Sequence, residues 1–457
     1  MAQEGGRSAR VDLTRILELL RQCITQALCA AAFKQVRKAE RQRDWTLWAL
    51  VQFWIAIVLR APPSLTHALA EAREGREPFA EPVETSDQAF FERSQKLSWR
   101  FFAEVFRRFI ANLQQRTTPR YCKPLQGLRE RFTDVLVIDG SRLAAIARRL
   151  KILWDVRAVV LPGCLIAVYD LFRGIPRLVE FSADAAAAEI TRAIQAVRKI
   201  ARDSLLVGDR LYCVAAFFEP LRQKTLWGVF RRNRLMKLRR LSRKPSRKRR
   251  WEGGVLTEWR VRAGTGVTAP AQTLRLIRFK KGRRVYELLT NVLDSHRLTG
   301  EEAMQLYPKR WSVERMFFDL KVVLNLNRVY AANPNAVGLQ VYAAAMVYAA
   351  MRVAQAEVAY KARIEPEEIS PAKFFPKMAA ACHDYLVAEW TVAEMIRLNP
   401  GKRLRLPRWK GRRFTTIELD SVVVTRRNGK RRHRKYCKAR RKWKSFAHIS
   451  GGKRFTN

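Results

Sequence analysis

Tyr307-Pro308-Lys309-Arg310-Trp311-Ser312-Val313-Glu314, followed by Lys321, is the stretch on which the reading of this chain turns. The carboxylate of Glu314 stands four residues after an arginine and seven before a lysine, offsets that set Arg310, Glu314 and Lys321 along one stripe of a helix. Met316, Phe317, Leu320 and Leu324 lie beside that stripe and are expected to bury the other side. An exposed i,i+4 ion pair, worth about 0.2–0.5 kcal/mol, would account for Arg310 and Glu314 by themselves. It would not account for Tyr307 and Lys321 at fixed offsets from them.

Working outward, two aspartates stand at the ends of short apolar runs. Asp139 follows Val135-Leu136-Val137-Ile138, and Asp209 follows Leu205-Leu206-Val207-Gly208. Such runs read as strands, and strand ends in an α/β layer are where ligands are usually met. Taken singly, each aspartate reads more readily as a turn former beside Gly140 or Gly208. Further strands are expected at Val156–Val160, Leu165–Tyr169 and Leu178–Phe181, and a helix over 185–202 with Ile190, Ile194, Val197 and Ile200 on one side. The β pattern returns at Val255–Val261, Leu274–Phe279 and Val285–Thr290, and Thr299 with Glu302 makes a capping box that opens the helices after it. Strands, a helix and a further strand predict an α/β class. Before them, Leu97, Phe101, Val105 and Phe109 recur every fourth residue, and Ser86 is a candidate cap for the preceding helix. The organisation read from these patterns is a helical N-terminal domain over 1–130, the first part of an α/β core over 131–226, and a β-rich insertion with a basic loop over 227–295. The core is completed over 296–361 by the helix that carries Glu314, and 362–457 form a C-terminal region with a basic tail.

At these residues the sequence resembles the DDE transposases of bacterial insertion sequences, in the branch marked by a Tyr-x2-Arg-x3-Glu-x6-Lys signature. The likeness includes Ile138-Asp139-Gly140-Ser141 around the first acid, Gly208-Asp209-Arg210 around the second, and Leu289-Thr290-Asn291 leading into the signature. It covers roughly Asp134 to Lys321. The N-terminal region fits more loosely, the tail after Pro400 matches no motif, and Pro308 departs from the long polar side chains of the family. The resemblance implies an RNase H-like catalytic core with a β-rich insertion, preceded by a helical N-terminal domain that recognises DNA ends. It implies that Asp139, Asp209 and Glu314 are catalytic and hold two Mg2+ ions, with Mn2+ able to substitute and Asp139 bridging both. Carboxylates without His or Cys partners suit such hard ions. Tyr307, Arg310, Lys321 and Arg210 would meet DNA phosphates, and Trp227, Trp251 and Trp259 are candidates for stacking on a flipped base. The implied activity is cut-and-paste transposition by a homodimer bound to terminal inverted repeats and target DNA. Two alternatives stay open: a catalytically silent DNA-binding descendant, and an RNase H-like nuclease that never joins strands.

Composition agrees with a polyanionic partner. The 457 residues carry 89 Lys and Arg against 41 Asp and Glu, a formal charge of +48, and counterion release makes nucleic acid the commonest destination for such an excess. Two segments concentrate it. Arg231–Arg250 contains no acid, with Pro245 and serines that oppose a helix, and Lys430–Lys444 interleaves Tyr436 and Trp443 with cations. The best membrane candidate, Trp45–Leu59, is bounded by Asp44 and Arg60 and interrupted by Thr46 and Gln52; it falls short of the roughly 18–20 residues a span needs and reads as a buried helix. Met1–Arg10 lacks a signal-type apolar core, so a cytoplasmic, nucleoid-associated bacterial protein without membrane contact is expected. Seven cysteines without a Cys-x-x-Cys pair, and five histidines without zinc-ligand spacing, read as reduced core residues and no zinc site.

Overall fold

Side-chain alternation along the first expected strand decides how the sheet is covered. In β1 (Val135–Arg142) Val135 and Val137 face one side while Leu136 and Ile138 face the other, and all four are buried. A strand apolar on both faces needs cover on both, which a sheet between helical layers provides. The computed structural model describes residues 10–12, 15–37, 43–74, 83, 85–143, 163–184, 187–264, 270–331, 333–382 and 416–418. The expected strand at Val156–Val160 and the basic tail at Lys430–Lys444 lie outside the described residues.

A meander of β1, β2 (Cys164–Asp170) and β3 (Ile175–Ser182) pairs antiparallel. On the other edge of β1, β4 (Leu205–Gly208) and then β5 (Trp227–Arg231) pair parallel. The same sheet continues through β6 (Leu238–Arg240), β7 (Arg247–Trp251), β8 (Gly254–Ala263), β9 (Gln272–Lys281) and β10 (Arg284–Thr290). Its ten strands run in the order β3-β2-β1-β4-β5-β10-β9-β8-β6, with β7 also on β8. The strands of the region 227–295 therefore extend the central sheet itself, joined through the antiparallel pairing of β5 with β10.

The basic segment corrects the expectation of a loop. Within it β6 and β7 both lie antiparallel along β8, while 232–237 and 241–246 stand outside the ladder. Pro245 has no N–H to give to a ladder and falls in the second of these, while Leu241 N and Ser246 N close its ends on the Arg260 and Glu258 carbonyls. A row of Arg and Lys is also how an exposed sheet edge avoids pairing with other chains.

One face of the sheet is covered by α7 (Glu189–Val197) and α8 (Ala215–Gln223), shorter than the helix expected over 185–202. The other face shares one apolar core with α1 (Arg15–Cys23), α2 (Gln26–Val36), α3 (Leu47–Arg60), α4 (Leu65–Arg73), α5 (Asp87–Lys96) and α6 (Arg100–Arg116). Ser86 caps α5 through its hydroxyl, and Phe101, Val105 and Phe109 are buried on α6. Thr299 and Glu302 form the capping box of α9 (Gly300–Leu306), which continues through a 3-10 turn over Tyr307–Arg310 into α10 (Trp311–Phe318). At the centre runs α11 (Pro334–Lys361), packed by α3, α6 and β3. By length and composition α11 could cross a membrane, but its most apolar window is wholly buried within the protein. A helix apolar all round is expected at the centre of a large core. The six described cysteines are all buried, and burial pushes the thiols of Cys29, Cys122 and Cys382 up to about 12.

One buried ion pair anchors the helices that carry the signature. Arg275 Nε lies 3.2 Å from Glu258 Oε2, both side chains at most 3% exposed, and the guanidinium also donates to the carbonyls of Val292 and Leu298 at 3.1 and 2.5 Å. It thus ties β8 and β9 to the connection that leads into α9. Arg275→Met is expected to cost about 3–5 kcal/mol, because Glu258 would remain buried and uncompensated. Denaturant unfolding of the two proteins measures this, and equal midpoints would mean the pair is idle.

Candidate active site

Parallel pairing sets the first two acids side by side. Val135, Leu136 and Val137 of β1 pair with Leu205, Leu206 and Val207 of β4, and the same register carried two residues further brings Asp139 level with Asp209. Both acids thus stand at the carboxyl end of adjacent parallel strands, where β-strand C–termini open towards ligands. The 3-10 turn Tyr307–Arg310 packs across the ends of β1, β4 and β5, and Pro308 is accommodated at its first turn. From this turn Arg310, buried despite its charge, reaches down: one guanidinium nitrogen lies 2.6 Å from Glu314 Oε1 and 3.9 Å from Asp139 Oδ2. Asp139 therefore lies level with Asp209 and shares Arg310 with Glu314.

Lys321 departs from the regular stripe. A π-helical turn over Asp319–Val323, with Leu324 N donating to Asp319 O at 2.9 Å, adds a residue to the turn and swings Lys321 away from the line of Arg310 and Glu314. Its Nζ donates instead to Ser141 Oγ and Arg142 O of β1, each at 2.7 Å. Burial pushes the Lys321 ammonium down to about 8. Tyr307 is half-buried near Arg310, and burial raises its phenol. Arg210 is exposed on the turn after Asp209, whose Oδ1 accepts from Leu211 N at 2.6 Å.

Concentrated negative charge shows in Asp139. Burial first of all, and then the neighbouring acids Asp209, Glu189 and Glu314, push its carboxyl up to about 7 against the opposing pull of Arg310. Asp139 also accepts from Gly140 N at 2.9 Å. Glu189, at the start of α7, belongs to this group although no motif surrounds it in the sequence; only the fold carries it there. The donor chemistry, carboxylate oxygens only, suits a hard divalent ion. Among the described residues no three His, Cys, Asp or Glu side chains stand close enough together to form a complete ligand set, and Glu314 is engaged by Arg310.

The three tryptophans are not brought together. Trp227 begins β5, at the sheet end opposite the acids; its Nε1 donates to Asp203 at 2.8 Å and Arg297 stacks on its ring at 4.6 Å. Trp259 is buried under the guanidinium of Arg240. Trp251 ends β7 and is partly exposed, edge-on to Phe279 at 4.9 Å. It lies on an overhang. Since Leu288 pairs with Arg231 at the end of β5, residues 284–287 of β10 and their partners 278–281 of β9 run past the acid end of the core strands. Lys280, Lys281, Arg283 and Arg284 are exposed there, as are Arg249 and Arg250 on the edge strand beside them.

Residues 161–350 match the family model for the transposase DDE domain, a span that holds Asp209, Glu314 and the whole signature and begins after Asp139. A curated protein named for the transposase of insertion sequence element IS4SA, from Synechocystis sp., is 32% identical over 83 residues, 17% of this chain; the chain spans a quarter (25%) of that relative's length. Among solved structures, the piggyBac transposase in a synaptic complex with hairpin DNA is 11% identical over 95% of this chain and 92% of its own, with a TM-score of 0.40.

The raised carboxyl of Asp139 has a consequence for stability. Folded, metal-free protein holds this proton more tightly than the unfolded chain, so the contribution is fully present below about pH 4 and is lost as pH rises through about 7. Asp139→Asn keeps the acceptor for Gly140 N and removes the charge. It is expected to raise the melting temperature of metal-free protein at pH 8, by at most about 4 kcal/mol equivalent, with the advantage vanishing near pH 4. Thermal scans in chelator across that range test this, and a variant that melts lower at pH 8 would refute it.

Proposed function

We propose that this chain is a DDE transposase of insertion sequences that cuts DNA strands at the ends of a mobile element and joins them to target DNA, with Asp139, Asp209 and Glu314 as its catalytic acids. The observation that carries the reading is that Asp139 stands level with Asp209 on adjacent parallel strands and shares Arg310 with Glu314, which is distant in sequence. The order β3-β2-β1-β4-β5, an antiparallel meander joined to parallel strands, supports assigning an RNase H-like core. The all-oxygen donor set fits Mg2+ or Mn2+, held by the three acids. Such ions, held there, would supply stabilisation of the negative charge that develops when a phosphodiester is cut or joined.

The chain's own residues bind and orient the strand. Arg310 keeps Glu314 and Asp139 apart from each other's charge, and its planar fork is suited to grip a phosphate by two hydrogen bonds. Tyr307 and exposed Arg210 border the same end of the sheet and complete a phosphate-binding rim. Lys321 fixes the far end of the signature helix to β1, so its contribution is to align Glu314 as well as to add positive charge. The basic overhang of β7 to β10 extends that rim along the path of a duplex, and Trp251 is the tryptophan whose place there suits stacking on a base. The substrate is taken to be double-stranded DNA with terminal inverted repeats, bound by a homodimer in the bacterial cytoplasm.

Asp139→Ala, Asp209→Ala and Glu314→Ala should each reduce strand cleavage to background on end-labelled terminal-repeat duplex with Mg2+, while retaining DNA affinity, because none removes a cation. Cleavage at the wild-type rate in all three would end the assignment. Wild-type protein that binds without cutting would be a silent descendant, and one that cuts without joining a 3'-hydroxyl end to target DNA would be a nuclease.

Arg310→Ala and Lys321→Ala should act more mildly, slowing cleavage about 10- to 100-fold through misplacement of the strand and of Glu314. Single-turnover rates on the same duplex measure this. Unchanged rates in both variants would remove the positioning role.

A further inference from the structure

Glu189 opens α7 within a run of alanines, and nothing in its sequence surroundings suggests a function. Its carboxylate presses against the backbone of the residue after Asp139. A Cβ added at Gly140 would fall 2.5 Å from Glu189 Cδ and 2.8 Å from Oε1, so a glycine is required there for the carboxylate to come so close. A second contact aims it. The Tyr212 hydroxyl donates to Glu189 Oε1 at 2.6 Å, and Tyr212 is fully buried three residues after Asp209, with its ring packed on Phe217. Burial keeps that phenol protonated, so it can serve only as a donor to Glu189.

Two segments thus converge on this oxygen, the turn that follows Asp209 and the strand end that carries Asp139. A first-turn glutamate is favoured by the helix dipole alone, but the dipole explains neither the glycine nor the buried tyrosine. Among the described residues no cation pairs with Glu189, whereas Arg310 serves Glu314 and Asp139. Carboxylates crowded without a counter-charge are costly unless a cation joins them.

Resting on the active-site reading above, we infer that Glu189 is a fourth carboxylate of the divalent-metal site and that Tyr212 is the positioning residue that fixes its oxygen. Glu189 comes from α7, on the sheet face opposite the one covered by α10, the helix that carries Glu314.

Calorimetric titration of Mn2+ into the full chain, without DNA, tests this apart from activity. Glu189→Gln is expected to weaken Mn2+ binding about 10- to 100-fold and Tyr212→Phe several-fold. The metal-free melting temperature of Glu189→Gln should not fall, because one of several like charges is removed. Asp139→Asn is the reference. If Asp139→Asn loses Mn2+ binding and Glu189→Gln keeps wild-type affinity, the fourth-carboxylate assignment is overturned and the active-site reading stands. If Asp139→Asn itself binds Mn2+ as wild type does, the active-site reading falls, and this inference falls with it. Should Glu189→Gln not fold, Glu189→Asp takes its place and is held to the same loss of affinity.

Discussion

Burial of both faces of the sheet is the constraint on which the rest of this structure depends. With Val135 and Val137 on one face and Leu136 and Ile138 on the other, β1 is stable only between two apolar layers, and β4 repeats the pattern. Between β1 and β4 the pairing is parallel, as such doubly covered strands allow. Parallel pairing in turn gathers strand ends of one polarity, so Asp139 and Asp209 need no special device to meet. The layer formed by α10, α11 and the N-terminal helices lies over the same face, which is why a helix far along the chain can deliver Glu314 to the same place.

Gathering acids raises an electrostatic problem that the site meets in two ways. Arg310, itself buried, divides its charge between Glu314 and Asp139. Asp139 answers partly by holding its proton, its carboxyl pushed up to about 7. Lys321 serves neither acid but donates to Ser141 and the Arg142 carbonyl of β1, from a π-helical turn in the signature helix. Such turns recur at functional sites because they rotate the following side chains.

Around this acidic centre the chain is overwhelmingly basic, and the sheet arranges part of that charge. The overhang of β9 and β10 presents Lys280, Lys281, Arg283 and Arg284, and the edge strand adds Arg249 and Arg250 at the same end. A polyanion drawn to this rim is led towards the carboxylates it would otherwise avoid. The same charges keep the outer strand from pairing with another chain, so one composition serves both solubility and attraction.

Local spacing carried much of this in the sequence: the strand before each aspartate, the capping box at Thr299, the Ser86 cap and the offsets from Tyr307 to Lys321 are all short-range patterns that propensity and periodicity report directly. That parts of the basic segment pair with β8 is hidden from the sequence, because such pairing is long-range and charge with one proline mimics a turn-rich stretch. Likewise, nothing near Trp227 reveals that it sits at the far end of the sheet from the acids, since strand direction follows only from pairing. The π-helical turn that redirects Lys321 and the arrival of Glu189 beside Gly140 were decided by tertiary packing alone. Residue types and their spacing determine which groups are available and on which local element they stand; the distances between those elements depend on how the two faces of the sheet are buried, and that is settled by the whole chain at once.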